Sequence, residues 1–133
     1  MTPLYFGTGQ RRLFGVLDPA QARSGQAQAA VICYPWGPEY IFAHRALRHL
    51  ARQLAARGFN VLRFDYYGTG DSAGEESEVR LSGWREDIFA AIDELKDICD
   101  AKTFALIGLR LGASLAAQIA ANCRKDVTAL VLW

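Results

Sequence analysis

The sequence predicts an α/β fold, an open, mostly parallel sheet flanked by helices. Three observations carry this expectation. A short uninterrupted apolar run at residues 29–34 suits a strand buried on both faces, and residues 59–64 and 103–107 read as two further strands. Stretches with helical spacing of apolar residues separate them. Each run ends in a turn rich in Gly, Pro or Asp. Alternation of strand and helix from residue 29 onward calls for parallel strands joined by crossover helices.

Taken in order, Leu4-Tyr5-Phe6 and Arg12-Leu13-Phe14-Gly15-Val16-Leu17 read as two short strands around a Gly-containing turn. Residues 19–29, rich in Gln, Ala, Ser and Gly, read as an exposed loop. After the strand at 29–34, Pro35-Trp36-Gly37-Pro38 stops the run. Apolar positions 43, 46, 47, 50, 51, 54 and 55 then predict a helix, with Gly58 at its C-terminal cap. The strand at 59–64 closes on Asp65-Tyr66-Tyr67-Gly68-Thr69-Gly70-Asp71-Ser72, and an acidic loop follows at 73–81. Ser82 is the expected N-cap of a second helix, with Trp84, Ile88, Ala91, Ile92, Leu95 and Ile98 inward. The strand at 103–107 meets Gly108-Leu109-Arg110-Leu111-Gly112 and turns directly into a third helix, with Leu115, Ala116, Ile119, Ala120 and Cys123 inward. A last strand is expected at 127–133.

Composition sets the bounds. At 133 residues with 51% apolar and 22% charged residues, the chain is one domain with enough apolar matter for a core. Twelve Arg and 3 Lys against 14 acids leave a net charge of +1, with the basic residues scattered along the chain. No nucleic-acid partner and no polybasic membrane anchor are expected from such a balance. Apolar runs stay far below the ~18 residues of a spanning helix, and the N-terminus carries no signal-peptide pattern. The expected compartment is the cytoplasm. Cys33, Cys99 and Cys123 are an odd count at long spacings, each in an apolar stretch, so neither a zinc site nor a disulfide framework is expected. His44 and His49 stand five apart on the first helix and point to different faces, so they form no metal pair. No metal and no cofactor are expected.

In sheets of this kind ligands sit at the carboxyl ends of the strands. The sharpest feature there is Gly108 to Gly112, a strand–turn–helix with the form of a G-x-S-x-G nucleophile elbow in which Arg110 occupies the central position. Gly68-Thr69-Gly70-Asp71-Ser72-Ala73 matches a dinucleotide fingerprint in letters only. Such a loop must open a helix, whereas Glu75-Glu76-Ser77-Glu78 follows and would repel a phosphate. Asp65 and Asp71 are better read as turn-formers whose carboxylates accept backbone N–H bonds. Beside the start of the third helix, Arg110 is expected in a partly dry pocket, where it needs a carboxylate partner or an anionic ligand.

Over residues 28–133 the chain resembles the α/β-hydrolase family. Tyr34-Pro35-Trp36-Gly37 lies where that family has its oxyanion loop, 64–72 is similar to its D-x-x-G-x-G-x-S loop, and 108–112 to its elbow. The form Gly-Leu-Arg-Leu-Gly looks like that of bacterial members found with exosortase and exopolysaccharide systems or with biosynthetic clusters. The resemblance implies an ester, thioester or amide hydrolase, with Trp36, Gly37 and Leu111 at the oxyanion pocket and Gly68, Gly70, Gly108 and Gly112 as structural turns.

Two departures bear on activity. A guanidinium stays protonated, so Arg110 cannot act as nucleophile. The family's triad runs Ser, then acid, then His. After residue 110 this chain has one acid, Asp126, at the wrong end of its strand, and no His. Ser114, one turn further, is a substitute nucleophile in principle, although its position suits a helix residue bonding back to a carbonyl. The 133 residues alone are therefore expected to be inactive and to be the N-terminal part of such a fold. Its apolar last strand is open to self-association or pairing along the edge. The alternative reading is a non-catalytic protein that uses Arg110 to hold a small anion, or one that binds a partner chain.

Overall fold

In a computed structural model, residues 1–22, 25–122 and 125–133 are described. Six strands form one mixed sheet in the order β1-β2-β4-β3-β5-β6, flanked by three helices. β1 (Thr2–Thr8) and β2 (Arg11–Asp18) make an antiparallel hairpin, longer at both ends than the apolar pattern implied, and β2 runs antiparallel to β4 (Phe59–Phe64). β4, β3 (Gln28–Cys33), β5 (Phe104–Gly108) and β6 (Val127–Leu132) are parallel. Ala30, Val31, Ile32 and Cys33 are all 0% exposed, the signature of a strand covered on both sides.

Chain order fixes the layers. The crossover from β3 to β4 moves one way along the sheet, while those from β4 to β5 and β5 to β6 move the other way. Right-handed crossovers therefore place α1 (Pro38–Ala56) on one face and α2 (Leu81–Cys99) with α3 (Leu111–Asn122) on the opposite face. The pairs Ile32↔Arg63, Cys33↔Gly108 and Gly108↔Leu132 keep the carboxyl ends of β3 to β6 level. Three loops thus open at one rim.

Element boundaries depart from the sequence reading at several points. α1 starts at Pro38, five residues before the periodic stripe, because Pro at the first helical position has its φ preset and Gly37 turns the chain at φ 68. The first turn buries only part of Tyr40, and Ile41 is 73% and Phe42 85% exposed, so apolar spacing could not mark it. Ala46 likewise faces solvent, and Leu47, Ala51 and Ala55 form the buried stripe. Gly58 follows the helix at φ 96 with its N–H on Ala55 O, as its place beyond the helix implied. α2 begins at Leu81 with Arg80 as N-cap and no side-chain cap, so Ser82 lies inside the first turn. Trp84 anchors that turn instead, stacked on Tyr66 at 4.8 Å with its Nε1–H donating to Tyr67 O. Ile98 is exposed, and Ala101, beyond the helix end, takes the buried place. β5 runs one residue later than expected, into Gly108. Cys123 and Arg124 lie outside the described residues, so the inward placement of Cys123 has no structural counterpart.

Two ion pairs, one buried and one half-buried, tie the hairpin to the rest. Arg63 of β4 bonds Asp18 of β2 at 3.1 Å, both nearly sealed from solvent. Arg11 bonds Asp87 of α2 at 2.8 Å, and Asp87 also accepts Tyr67 N–H at 2.9 Å. Burial pushes the Asp87 carboxyl up, while the Tyr67 N–H bond and Arg11 pull it back. β6 closes the described sheet at one edge, with Leu130, Val131 and Leu132 exposed. No described helix is long and apolar enough to cross a membrane.

Candidate functional site

The rim is built from three turns. After β5 the chain must reverse within two residues to enter α3, and Arg110 takes φ 58 to do so, a left-handed backbone that a non-glycine residue adopts only under constraint. The constraint is visible. Leu109 N–H donates to Cys33 O at 3.3 Å and Arg110 N–H to Trp133 O at 2.7 Å, while Arg110 O accepts from Ala113 and Ser114 N–H. Gly112 is required by close approach: a Cβ there would press into the carbonyls of Cys33 and Tyr34, the latter at 2.5 Å. At Gly108 a Cβ would meet Ala113 Cα at 2.5 Å.

The left-handed backbone aims the Arg110 side chain outward. The guanidinium is 66% exposed, contrary to the expected partly dry pocket, because no described element covers the elbow. The expected carboxylate partner is present. Arg110 Nε donates to Glu39 Oε1 at 3.0 Å, from the first turn of α1, where the helix terminus favours an acid. Ser114 is exposed one turn along α3. Leu111 is the first residue of α3, so its N–H has no acceptor within the helix.

Beside the elbow lies a groove of about 370 Å³ at the ends of β3 and β4, lined by Tyr34, Trp36, Tyr40, Tyr66, Asp65 and Thr69 among others. Trp36 stands at its mouth, half exposed, and Gly37, Gly68 and Gly70 bring backbone to its wall. Neither Arg110 nor Ser114 lines this groove. Asp65 organises it. Its carboxylate accepts the Tyr40 hydroxyl at 2.9 Å and Asp71 N–H at 3.0 Å, the turn-forming role read from the sequence. Ser72 Oγ donates to Asp65 O at 2.5 Å and accepts Phe14 N–H, stitching this loop to β2. Asp71 itself is exposed. The 68–73 turn leads into a short 3-10 turn at Glu76–Glu78 rather than a helix, so no dipole faces it for a pyrophosphate.

His44 packs between Tyr34 and Tyr40, and His49 is exposed beside Gln53. Among the described residues no group of three His, Cys, Asp or Glu is placed to hold a metal. Cys33 is fully buried, and desolvation raises its thiol to about 12. The thiolate is the reactive form, so native Cys33 is expected to resist iodoacetamide at pH 8 and to react once the chain is unfolded. Peptide mapping of labelled protein checks this; native labelling of Cys33 would mean that β3 opens readily.

Sequence reasoning missed Glu39, Tyr40 and the Asp18–Arg63 pair. Arg63 was the one legible signal, a lone cation between Leu62 and Phe64 in a strand.

Comparison with known proteins places this geometry. The family model described as serine aminopeptidase, S33, matches residues 41–133. The human palmitoyl-protein thioesterase ABHD10, mitochondrial, is 36% identical over 74 residues, which are 56% of this chain and 23% of that protein. A protein of unknown function from Agrobacterium tumefaciens, titled an α/β hydrolase, superposes with TM-score 0.81 at 25% identity, covering 98% of this chain and 59% of that one. XC6422 from Xanthomonas campestris, an α/β serine hydrolase without lid, gives 0.80 at 24% with the same coverages. The chain thus spans less than two thirds of the length of these relatives.

Proposed function

The chain belongs to the α/β-hydrolase family described as serine aminopeptidase, S33, and from that premise we propose that it forms the acyl-binding and elbow part of a protein acting on an ester, thioester or amide. The observation that supports this reading is the elbow, with its left-handed central residue between two glycines that nothing larger can replace. On this reading the Trp36 and Leu111 N–H groups receive the carbonyl oxygen of the substrate. Arg110 cannot attack that carbonyl and instead faces the anionic group of the ligand or product. Arg110 at the nucleophile position makes the triad degenerate, and its remaining members come from outside these 133 residues, beside the free edge of β6, so that this chain is a part of the whole hydrolase. Free thiols at Cys33 and Cys99 suit a reducing compartment, and we place the protein in the cytoplasm.

The test is hydrolysis of p-nitrophenyl acyl esters and acyl thioesters by the full-length protein. Arg110→Ser is expected to raise the rate by about a hundredfold, since a positioned nucleophile and base contribute on that order. Hydrolysis by the wild type would instead put the nucleophile elsewhere, with Ser114 first to be replaced. No rise in Arg110→Ser would remove the hydrolase reading of the pocket.

A second reading, a non-catalytic anion binder, is favoured by one observation: the guanidinium is exposed and held only through Nε by a half-exposed Glu39. Glu39 then competes with any ligand carboxylate. Glu39→Gln is expected to tighten binding of small carboxylates about two- to fivefold, the worth of an exposed ion pair. Arg110→Ala should abolish that binding. Calorimetric titration checks both, and unchanged affinity in Arg110→Ala would exclude this role.

A further inference from the structure

Behind the Tyr34–Tyr40–Asp65 wall of the groove lies a second cavity of about 280 Å³, between α1 and the N-terminal hairpin. We propose that this cavity is a binding site for a small oxyanion, a carboxylate or a phosphate, separate from the elbow. Arg63 lines it and is only 4% exposed, yet its Nη2 has no hydrogen-bond partner. That nitrogen lies 3.1 Å from Asp18 Oδ2 but out of line, because Arg63 addresses the same oxygen through Nε. Tyr34 Oη accepts Arg63 Nη1 at 3.3 Å, which leaves the hydroxyl proton free to donate. Burial raises the Tyr34 hydroxyl pKa, so that proton stays in place. His44 Nδ1, also buried and without a partner, belongs to the same lining, as does the exposed guanidinium of Arg48.

Buried donors without acceptors are uncommon, and a guanidinium donor can be satisfied only by an acceptor. Two acids share the lining. Asp65 is already engaged by the Tyr40 hydroxyl and Asp71 N–H, and Asp71 is solvated at the rim. The unmet demand is therefore for an oxygen acceptor, and since Asp18 already meets the charge of Arg63, it is the Arg48 guanidinium that favours one carrying negative charge.

This site does not depend on the elbow, and its test separates the two. His44 and His49 are the only histidines of the chain, so its imidazole Cε1–H spectrum has two signals, assigned through His44→Phe. Inorganic phosphate and acetate are titrated separately at constant ionic strength. Saturable movement of the His44 signal with His49 still is the expected result, unchanged by Arg110→Ala and weakened about tenfold by Arg48→Gln. Movement with both anions assigns a general oxyanion site, and movement with one alone identifies the class. No saturable shift, equal shifts of both histidines, or a response that Arg48→Gln does not alter would overturn the proposal. Arg48 is exposed, so its replacement leaves the fold intact, whereas an Arg63 variant breaks a buried ion pair.

Discussion

Gly112→Ala is expected to destabilise the protein by about 3 kcal/mol or more, lowering the midpoint of thermal unfolding by roughly 10 °C. The added methyl group would enter the space held by the Cys33 and Tyr34 carbonyls. Those atoms belong to the end of β3, which pairs on both sides and cannot retreat without breaking the register Cys33↔Gly108. Overpacking against a flexible side chain is relieved by a rotamer change; overpacking against paired backbone is not. Gly9→Ala is the control. Gly9 also has a positive φ, 57, but nothing lies within 4 Å of its missing Cβ. Only the conformational cost of about 1 kcal/mol is expected there. Equal losses in the two variants, read by calorimetry, would show that the elbow relaxes freely and that its tightness has no structural consequence.

Asp18→Ala is expected to cost about 3–5 kcal/mol, because it leaves the Arg63 guanidinium buried with no counter-charge. A guanidinium cannot escape by losing its proton, so the fold must open to solvate it or bear the full penalty. Removing both partners, as in Asp18→Leu with Arg63→Met, is expected to recover most of the loss, since well-packed apolar residues replace a buried pair at little net cost. Denaturant unfolding of Asp18→Leu, Arg63→Met and the double variant closes the cycle. A double variant as unstable as the sum of the singles would mean that the pair is held for the Tyr34 hydrogen bond rather than for its charges.

How much of this was legible beforehand follows from the range of the interactions. β3 was readable because both its faces are buried, which forces an apolar residue at every position of 29–33. α1 was readable where it packs, at Leu47, Ala51 and Ala55, and unreadable over its first turn, where Ile41 and Phe42 meet only solvent and carry no periodic mark. Asp87 looked like one more acid on a charged helix, yet it is 1% exposed, because Arg11, 76 residues away, and Tyr67 N–H come to it. Ser82 was a sound cap by residue type, but the packing of Trp84 set the start of α2 two residues earlier.

At the rim, the sequence alone determined that a tight glycine-flanked turn follows β5, that Arg110 sits at its centre, and that no proton chemistry at that guanidinium can supply a nucleophile. It also determined the alternation that makes the sheet parallel and sends its loops to one end. The tertiary structure decided the rest: Glu39 as the partner of Arg110 across 71 residues, an elbow side chain in solvent rather than in a pocket, and Arg63 paired with Asp18 across 45. Periodicity and turn chemistry act within a few residues and so are written locally. Strand order and register bring distant residues together through contacts shared by the whole core, and no local pattern records them.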